Sequence, residues 1–311
     1  MKRKIWLGIG AWVMASSAVS LCFAASPASE SVPEGVAVRP SYQLRLGPFV
    51  TPPARTSGLL IKARINGGPP LRLLLDSGTQ YLVLDRKSAI RSGCVGGTDL
   101  DLVGAGARTA KVVKQLRAST VQIGDFTLRD TPLLVTDQPL ADGVQGAMAL
   151  SLFAGYIVRL DIPGKTLDLL PYPSGDAEAA GAVRAVSSNH LLFVKGTYND
   201  THEGFFLIDT GATYNAISRQ TARELNVPDG FAARLPLRGG TAEVDAPLLR
   251  GVMRLRVGDR EIATESVVSI DLSAASRYHN LEVAGLIGYP ALADSVLTVN
   301  YRDGIVRLNR K

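Results

Sequence analysis

Leu73-Leu74-Leu75-Asp76-Ser77-Gly78-Thr79 and Phe206-Leu207-Ile208-Asp209-Thr210-Gly211-Ala212 spell one pattern twice in a single chain. In each, a short apolar run that reads as a buried strand ends in an acid, a hydroxyl residue and a glycine. One such tripeptide signals a turn and no more. Here the surroundings repeat in the same order. Leu59-Leu60-Ile61 upstream of the first copy corresponds to Leu191-Leu192-Phe193 upstream of the second, with one residue of slippage. Ile123-Gly124-Asp125 matches Val257-Gly258-Asp259, and the register then holds to Asp137 and Asp271. Last, Gly143-Val144-Gln145-Gly146 with Ala149-Leu150 matches Gly285-Leu286-Ile287-Gly288 with Ala291-Leu292. Four landmarks in one order mark two halves built to one plan.

Each half supplies one carboxylate. Like charges a few ångströms apart cannot both ionise, so two carboxyls brought face to face share a proton and form an acid–base pair. Asp76 and Asp209 are the candidates. Gly78 and Gly211 let the backbone turn sharply and bring an amide close to a carboxylate with no side chain in the way. The residues that follow differ: the Thr79 hydroxyl can donate to Asp76, whereas Ala212 offers Asp209 nothing. Donation to the charged form favours it, which assigns the negative charge mainly to Asp76 and the shared proton mainly to Asp209.

At this point the residues resemble the aspartic peptidases of the retropepsin and pepsin group, with two tandem lobes in one polypeptide over about residues 57 to 311. The resemblance implies a mainly β fold: two retropepsin-like acid-protease β-barrel lobes related by a pseudo-twofold axis, with the active site between them. It implies that the hydroxyls of Ser77 and Thr210 reach across to the opposite loop and lock the halves together, and that Gly285-Leu286-Ile287-Gly288 threads beside a catalytic loop. The first half departs from that pattern, because Gln145 takes the place of Ile287. Two glycine-bearing stretches, Gly104-Ala105-Gly106 and Arg238-Gly239-Gly240-Thr241, are candidate tips of flap hairpins, since glycine at a hairpin tip permits positive backbone angles. Two tips in one chain favour a flap from each half. The function so implied is an aspartic endopeptidase acting on peptide or protein substrates. The alternative is a two-lobed module that holds a peptide or a partner without cutting it.

Composition narrows the other classes. The apolar content of 46% with 20% charged residues is that of a packed globular chain, which excludes overall disorder. The net charge is +6, and Lys2, Arg3 and Lys4 supply three of those charges; the remainder is too mild and scattered to indicate nucleic acid. His190, His202 and His279 lack metal-ligand spacing, and neither a metal nor a cofactor is expected. No Gly-x-Ser-x-Gly elbow or phosphate-binding loop occurs.

The opening stretch runs from a basic end through the uncharged Ile5 to Val19 to small residues at Ala24-Ala25-Ser26, the layout of a secretory signal peptide. Residues 1–24 are therefore expected to direct export to the periplasm or beyond and be removed; a membrane anchor or lipid attachment at Cys22 are the alternatives. Abundant arginine, alanine and glycine fit bacterial coding. Cleavage after Ala24 leaves Cys94 as a single thiol, so stability must come from packing. Residues 25–56, rich in Pro, Ser and Ala, read as a linker or lead-in, although Tyr42 to Leu46 alternates as an edge strand does. A first lobe over residues 57–172, a linker at 173–185 and a second lobe over 186–311 follow, as a monomer with further dimerisation left open. Short helices are expected over Arg86 to Ser92 and Ser218 to Asn226.

Overall fold

The computed structural model describes residues 5–6, 11–13, 39–51, 55–104, 111–137, 139–173, 181–225, 233–238 and 243–311. Among them strands dominate, and the two halves repeat one topology. In the first half, Pro70–Asp76 lies antiparallel to Arg55–Ile65 on one side and parallel to Gly146–Ala149 on the other. In the second, His202–Asp209 lies antiparallel to Leu191–Tyr198 and parallel to Val283–Gly288. The first strand begins as a half-buried one, with Leu71 and Leu73 inside and Arg72 out. From Leu73 to Asp76 every residue is buried, as apolar runs at the centre of a layered sheet require.

Beyond each acidic loop the match continues. Leu82–Asp85 runs parallel to Phe126–Thr136, and Asn215–Ser218 parallel to Arg260–Ile270. Each strand then enters a six-residue helix, Arg86–Arg91 or Arg219–Glu224, capped by the side chain of the strand's last residue: Asp85 accepts from the Ser88 amide and Ser218 from the Thr221 amide. Even a surface ion pair is duplicated, Arg86 with Asp137 and Arg219 with Asp271.

The strand register corrects one correspondence drawn from the sequence. Gly146 pairs with Leu73 and Ala149 with Asp76, whereas Gly285 pairs with Phe206 and Gly288 with Asp209. The counterpart of Gly285 is therefore Gly146 and not Gly143. A side chain would be refused at both places, because a Cβ on Gly146 would overlap the Val83 carbonyl and one on Gly285 the Ala216 carbonyl. With this register Met148, fully buried, holds the place of Ile287, and the anomaly at Gln145 disappears. Gln145 precedes the strand and ties it to its neighbour: its Oε1 accepts from the Arg72 amide and its own amide donates to the Arg72 carbonyl.

The halves are joined by one shared antiparallel sheet, in the order Tyr42–Arg45, Thr166–Leu170, Ile157–Asp161, Ser295–Asn300, Ile305–Arg310, Ala182–Ser188. Its centre pairs Val158 with Val299 and Leu160 with Leu297, all fully buried. Outward from that pair the arrangement is twofold. The largest core is continuous across the halves, with Leu73, Phe153, Leu160, Phe206 and Leu297 in one cluster. Smaller cores lie under the outer hairpins, around Leu74 and Leu102 in one half and Leu207 and Leu237 in the other.

Strands also occur in two stretches set outside the lobes by the sequence reading. Within the expected lead-in, Tyr42–Arg45 pairs with Thr166–Leu170 at the edge of this sheet and Gly47–Thr51 pairs with Arg55–Ile65. Likewise Ala182–Ser188 begins inside the expected linker. The first is the edge strand that the alternation of Tyr42 to Leu46 announces; the second follows a turn-rich stretch and carries no such mark. Part of the expected leader also pairs: Ile5–Trp6 runs parallel to Ala233–Arg238, and Ala11–Val13 antiparallel to Thr98–Gly104. Cys22 and the Ala24-Ala25-Ser26 stretch lie outside the described residues.

Candidate active site

Both acidic loops arrive at the junction of the halves, each at the end of its central strand. Asp76 and Asp209 are buried, at 4% and 0% exposure. Each carboxylate accepts from the glycine amide of its own loop, Gly78 N to Asp76 Oδ1 at 2.8 Å and Gly211 N to Asp209 Oδ1 at 3.1 Å. The glycines also face across the junction. A Cβ on Gly78 would overlap the Asp209 carboxyl, and one on Gly211 would overlap the Asp76 carboxyl. Each loop thus closes on the other's acid with no room for a methyl group, which brings the two acids into one site.

Crossed hydroxyl contacts hold that approach. Thr210 Oγ1 accepts from the Ser77 amide at 3.0 Å and donates to the Leu75 carbonyl at 2.9 Å. Ser77 Oγ accepts from the Thr210 amide at 3.0 Å and donates to the Ile208 carbonyl at 2.7 Å. All four bonds are buried and all four cross between halves. Each hydroxyl satisfies a donor and an acceptor that would otherwise be stranded in the interior.

Burial dominates the electrostatics. Taken out of water, the Asp76 carboxyl is pushed up to about 6; the Gly78 amide, the Asp209 side chain and the Thr79 amide, in that order, oppose the rise by donating to its charged form. The Thr79 contribution is the correction here: it comes from the backbone, and the buried Thr79 hydroxyl makes no hydrogen bond with the described residues. The side chain read from sequence as the donor to Asp76 does not play that part. The hydrogen bond with the Asp209 side chain thus favours the ionised form of Asp76, a contribution the sequence reading did not include. Ala212, fully buried, packs at the matching place, and its carbonyl accepts from the Tyr289 amide.

The candidate flap tips are mostly out of view. Gly104 ends Thr98–Gly104, which pairs antiparallel with Lys111–Ile123; Ala233–Arg238 pairs antiparallel with Glu243–Val257. Gly106, Gly239 and Gly240 lie outside the described residues. Sequence reasoning missed the helix at Ser273–His279, whose Tyr278 interacts with Gln80 in the loop after Asp76. Nor did it single out Gln80, buried four residues beyond Asp76. Seven residues leave little periodicity to detect, and this helix, unlike the two expected, opens on Leu272 with no side-chain cap to mark its start.

Comparison with known proteins agrees with this geometry. The family model described as Aspartyl protease matches residues 61–150 and 194–291, one segment in each half. Among curated proteins, the chain is 28% identical over 176 residues to DNA damage-inducible protein 1 of Kluyveromyces lactis; the match takes in 50% of this chain and 42% of that protein, so the chain spans less than half of its relative. Among solved structures, it is similar to an aspartic proteinase from Irpex lacteus with a TM-score of 0.57 at 12% identity, covering 88% of this chain and 98% of that one. At that identity the likeness concerns the fold.

Proposed function

This chain belongs to the aspartyl protease family, and from that premise we propose that it is an exported endopeptidase that hydrolyses peptide bonds with water activated between Asp76 and Asp209. One observation carries the reading: each catalytic loop closes by its glycine on the other half's carboxyl. Ionised Asp76 takes a proton from water as the water oxygen attacks the scissile carbonyl carbon. Asp209 gives its proton to the carbonyl oxygen. As the tetrahedral diol collapses, the C–N bond breaks, Asp76 passes its proton to the leaving nitrogen, and the diol hydroxyl returns one to Asp209. The pair ends as it began and no covalent intermediate forms.

The hairpins support an extended peptide as the substrate. Their edge strands accept further strands, as Ile5–Trp6 and Ala11–Val13 do, and an edge with free backbone groups binds an extended chain by main-chain hydrogen bonds. Export rests on the order of the first residues alone. Sequencing the N-terminus of the protein recovered from its cell tests that part, with a start near Ala25 expected and an intact Met1 on the recovered protein against it.

The activity is tested by incubating the purified chain with a mixed peptide library between pH 3 and 8. New termini are expected, with kcat/KM rising as the pH passes the neighbourhood of 6, where Asp76 ionises beside protonated Asp209. A library left intact at every pH would favour the module that binds without cutting.

A further inference from the structure

A duplicated plan shows what one half carries and the other lacks. Between Asp137 and Gly146 the first half has no helix among the described residues, whereas the second half sets Ser273–His279 between Asp271 and Gly285. This added helix and Arg219–Glu224 wall a cavity of about 740 Å³, which Leu281 and Val283 also line. That volume suits an organic ligand and exceeds what a single ion needs. The cavity stands apart from the acid pair. From its wall, Val283–Gly288 leads along an extended strand to the level of Asp209, about 16 Å away.

Three exposed arginines line the cavity: Arg219, Arg223 and Arg277. In the first half the Arg86–Asp137 ion pair closes at 2.7 Å, but its copy, Arg219 with Asp271, stands open at 3.9 Å. Asp271 Oδ1 accepts from the Ser273 amide at 3.0 Å and the Ser273 hydroxyl at 2.7 Å. Arg223 takes the place that Ile90 holds in the matching helix, and Arg277 belongs to the added helix. Neither makes an ion pair or a side-chain hydrogen bond among the described residues. The neighbouring acids are engaged. Gln220 Nε2 donates to Glu282 Oε1 at 2.9 Å and to Glu224 Oε1 at 3.1 Å, and the Tyr198 hydroxyl donates to Glu224 Oε2 at 2.8 Å. Arg219 and Arg223, four apart on one helix, also repel each other. What the cavity lacks is negative charge.

We propose that this cavity binds an acidic segment of a polypeptide, with its carboxylates held by Arg223 and Arg277 and drawn in by Arg219, and with Leu281 packing against an acidic side chain's stem. A guanidinium fork takes a carboxylate by two parallel hydrogen bonds, and forks on two different helices select a ligand that carries more than one carboxylate. The site goes beyond the peptidase reading and is tested by binding, without turnover.

The test reads, by fluorescence anisotropy, binding of a fluorescein-labelled peptide of alternating glutamate and glycine to the full chain at low ionic strength. The wild type is expected to bind it and to release it as salt is added, and the same peptide with lysine for glutamate should not bind. Arg223→Gln and Arg277→Gln should each weaken binding by about tenfold, the loss of one charge-assisted pair. Arg86→Gln removes the same charge from the matching helix of the first half and should leave binding unchanged; so should Asp76→Asn. Both cavity arginines are exposed, so neither change opens the core, and circular dichroism checks the fold. A wild type that does not bind the acidic peptide overturns the inference. So does an Arg86→Gln loss equal to that of Arg223→Gln, which reduces the effect to overall charge, or loss of binding in Asp76→Asn, which puts the peptide in the cleft. Displacement by inorganic phosphate or succinate as readily as by the unlabelled peptide makes this a small-anion site and also overturns it. Each of these results leaves the peptidase reading where it stood.

Discussion

At the scale of single residues, the site is a buried acid pair whose ionisation conflicts with stability. Because the folded-state value of Asp76 is raised from 3.8 to about 6, the native protein holds a proton that the unfolded chain releases. The stability so gained is complete below the unfolded value and is lost as pH rises through the folded one. At about 1.4 kcal/mol per unit this contribution is on the order of 2–3 kcal/mol. Asp76→Asn, which keeps a neutral side chain at every pH, should therefore gain stability relative to the wild type between pH 4 and 6, measured as the difference in unfolding free energy at each pH. A difference that does not change across that window would mean that Asp76 ionises freely in the folded state. Activity should appear where that stability is given up. Thr79 supplies a second check: with its hydroxyl unbonded and its amide donating, Thr79→Ala should leave the acid limb of the kcat/KM profile in place. A shift of that limb would restore the hydroxyl as the donor.

At the scale of the element, the loops work because strand, turn and crossing hydroxyl are set in one short string, and that is why they were legible. An apolar run names the strand, a glycine names the turn, and the acid between them has a fixed place. Two things escaped. Gly143 and Gly146 both precede small or apolar residues, so the string alone admits either as the partner of Gly285; the strand register decides, and the approach of Gly146 to the Val83 carbonyl agrees with it. Gln80 and Tyr278 meet from opposite halves, and no local pattern records such a contact. The crossed hydroxyls lead to a measurable cost. Thr210→Val keeps the shape but strands the Ser77 amide and the Leu75 carbonyl, at about 1–3 kcal/mol for each buried group left unpaired, so urea unfolding should show a loss of about 2 kcal/mol or more. A neutral effect would show that the loops meet without the clasp. Gly211→Ala should cut turnover sharply with both acids still present, since its methyl group would be driven into the Asp76 carboxyl.

At the scale of the molecule, two repeated halves become one protein through the sheet they share. Neither half closes alone: Ile157–Asp161 from the first pairs with Ser295–Asn300 from the second, and the main core runs through both. Repetition in the sequence exposed the halves, whereas the pairing that joins them unites strands far apart in the sequence, one from each half, and no local pattern records it. A shared core predicts that the protein unfolds in one cooperative step by calorimetry, and that Leu160→Ala or Leu297→Ala lowers stability by about 2–5 kcal/mol without separating the transition. Two resolved transitions would mean that the lobes are independent and the active site between them loosely held.

The central claim, that one acid from each half forms a single catalytic unit, is met most directly by turnover of the wild type, Asp76→Asn, Asp209→Asn and the double variant on one verified peptide. Residues that act as a unit are strongly non-additive. Each single change is predicted to lower kcat by at least ~1,000-fold, with the double variant no worse than either. A single variant that keeps most of the wild-type turnover, or a double variant whose loss is the product of the two, would contradict the account.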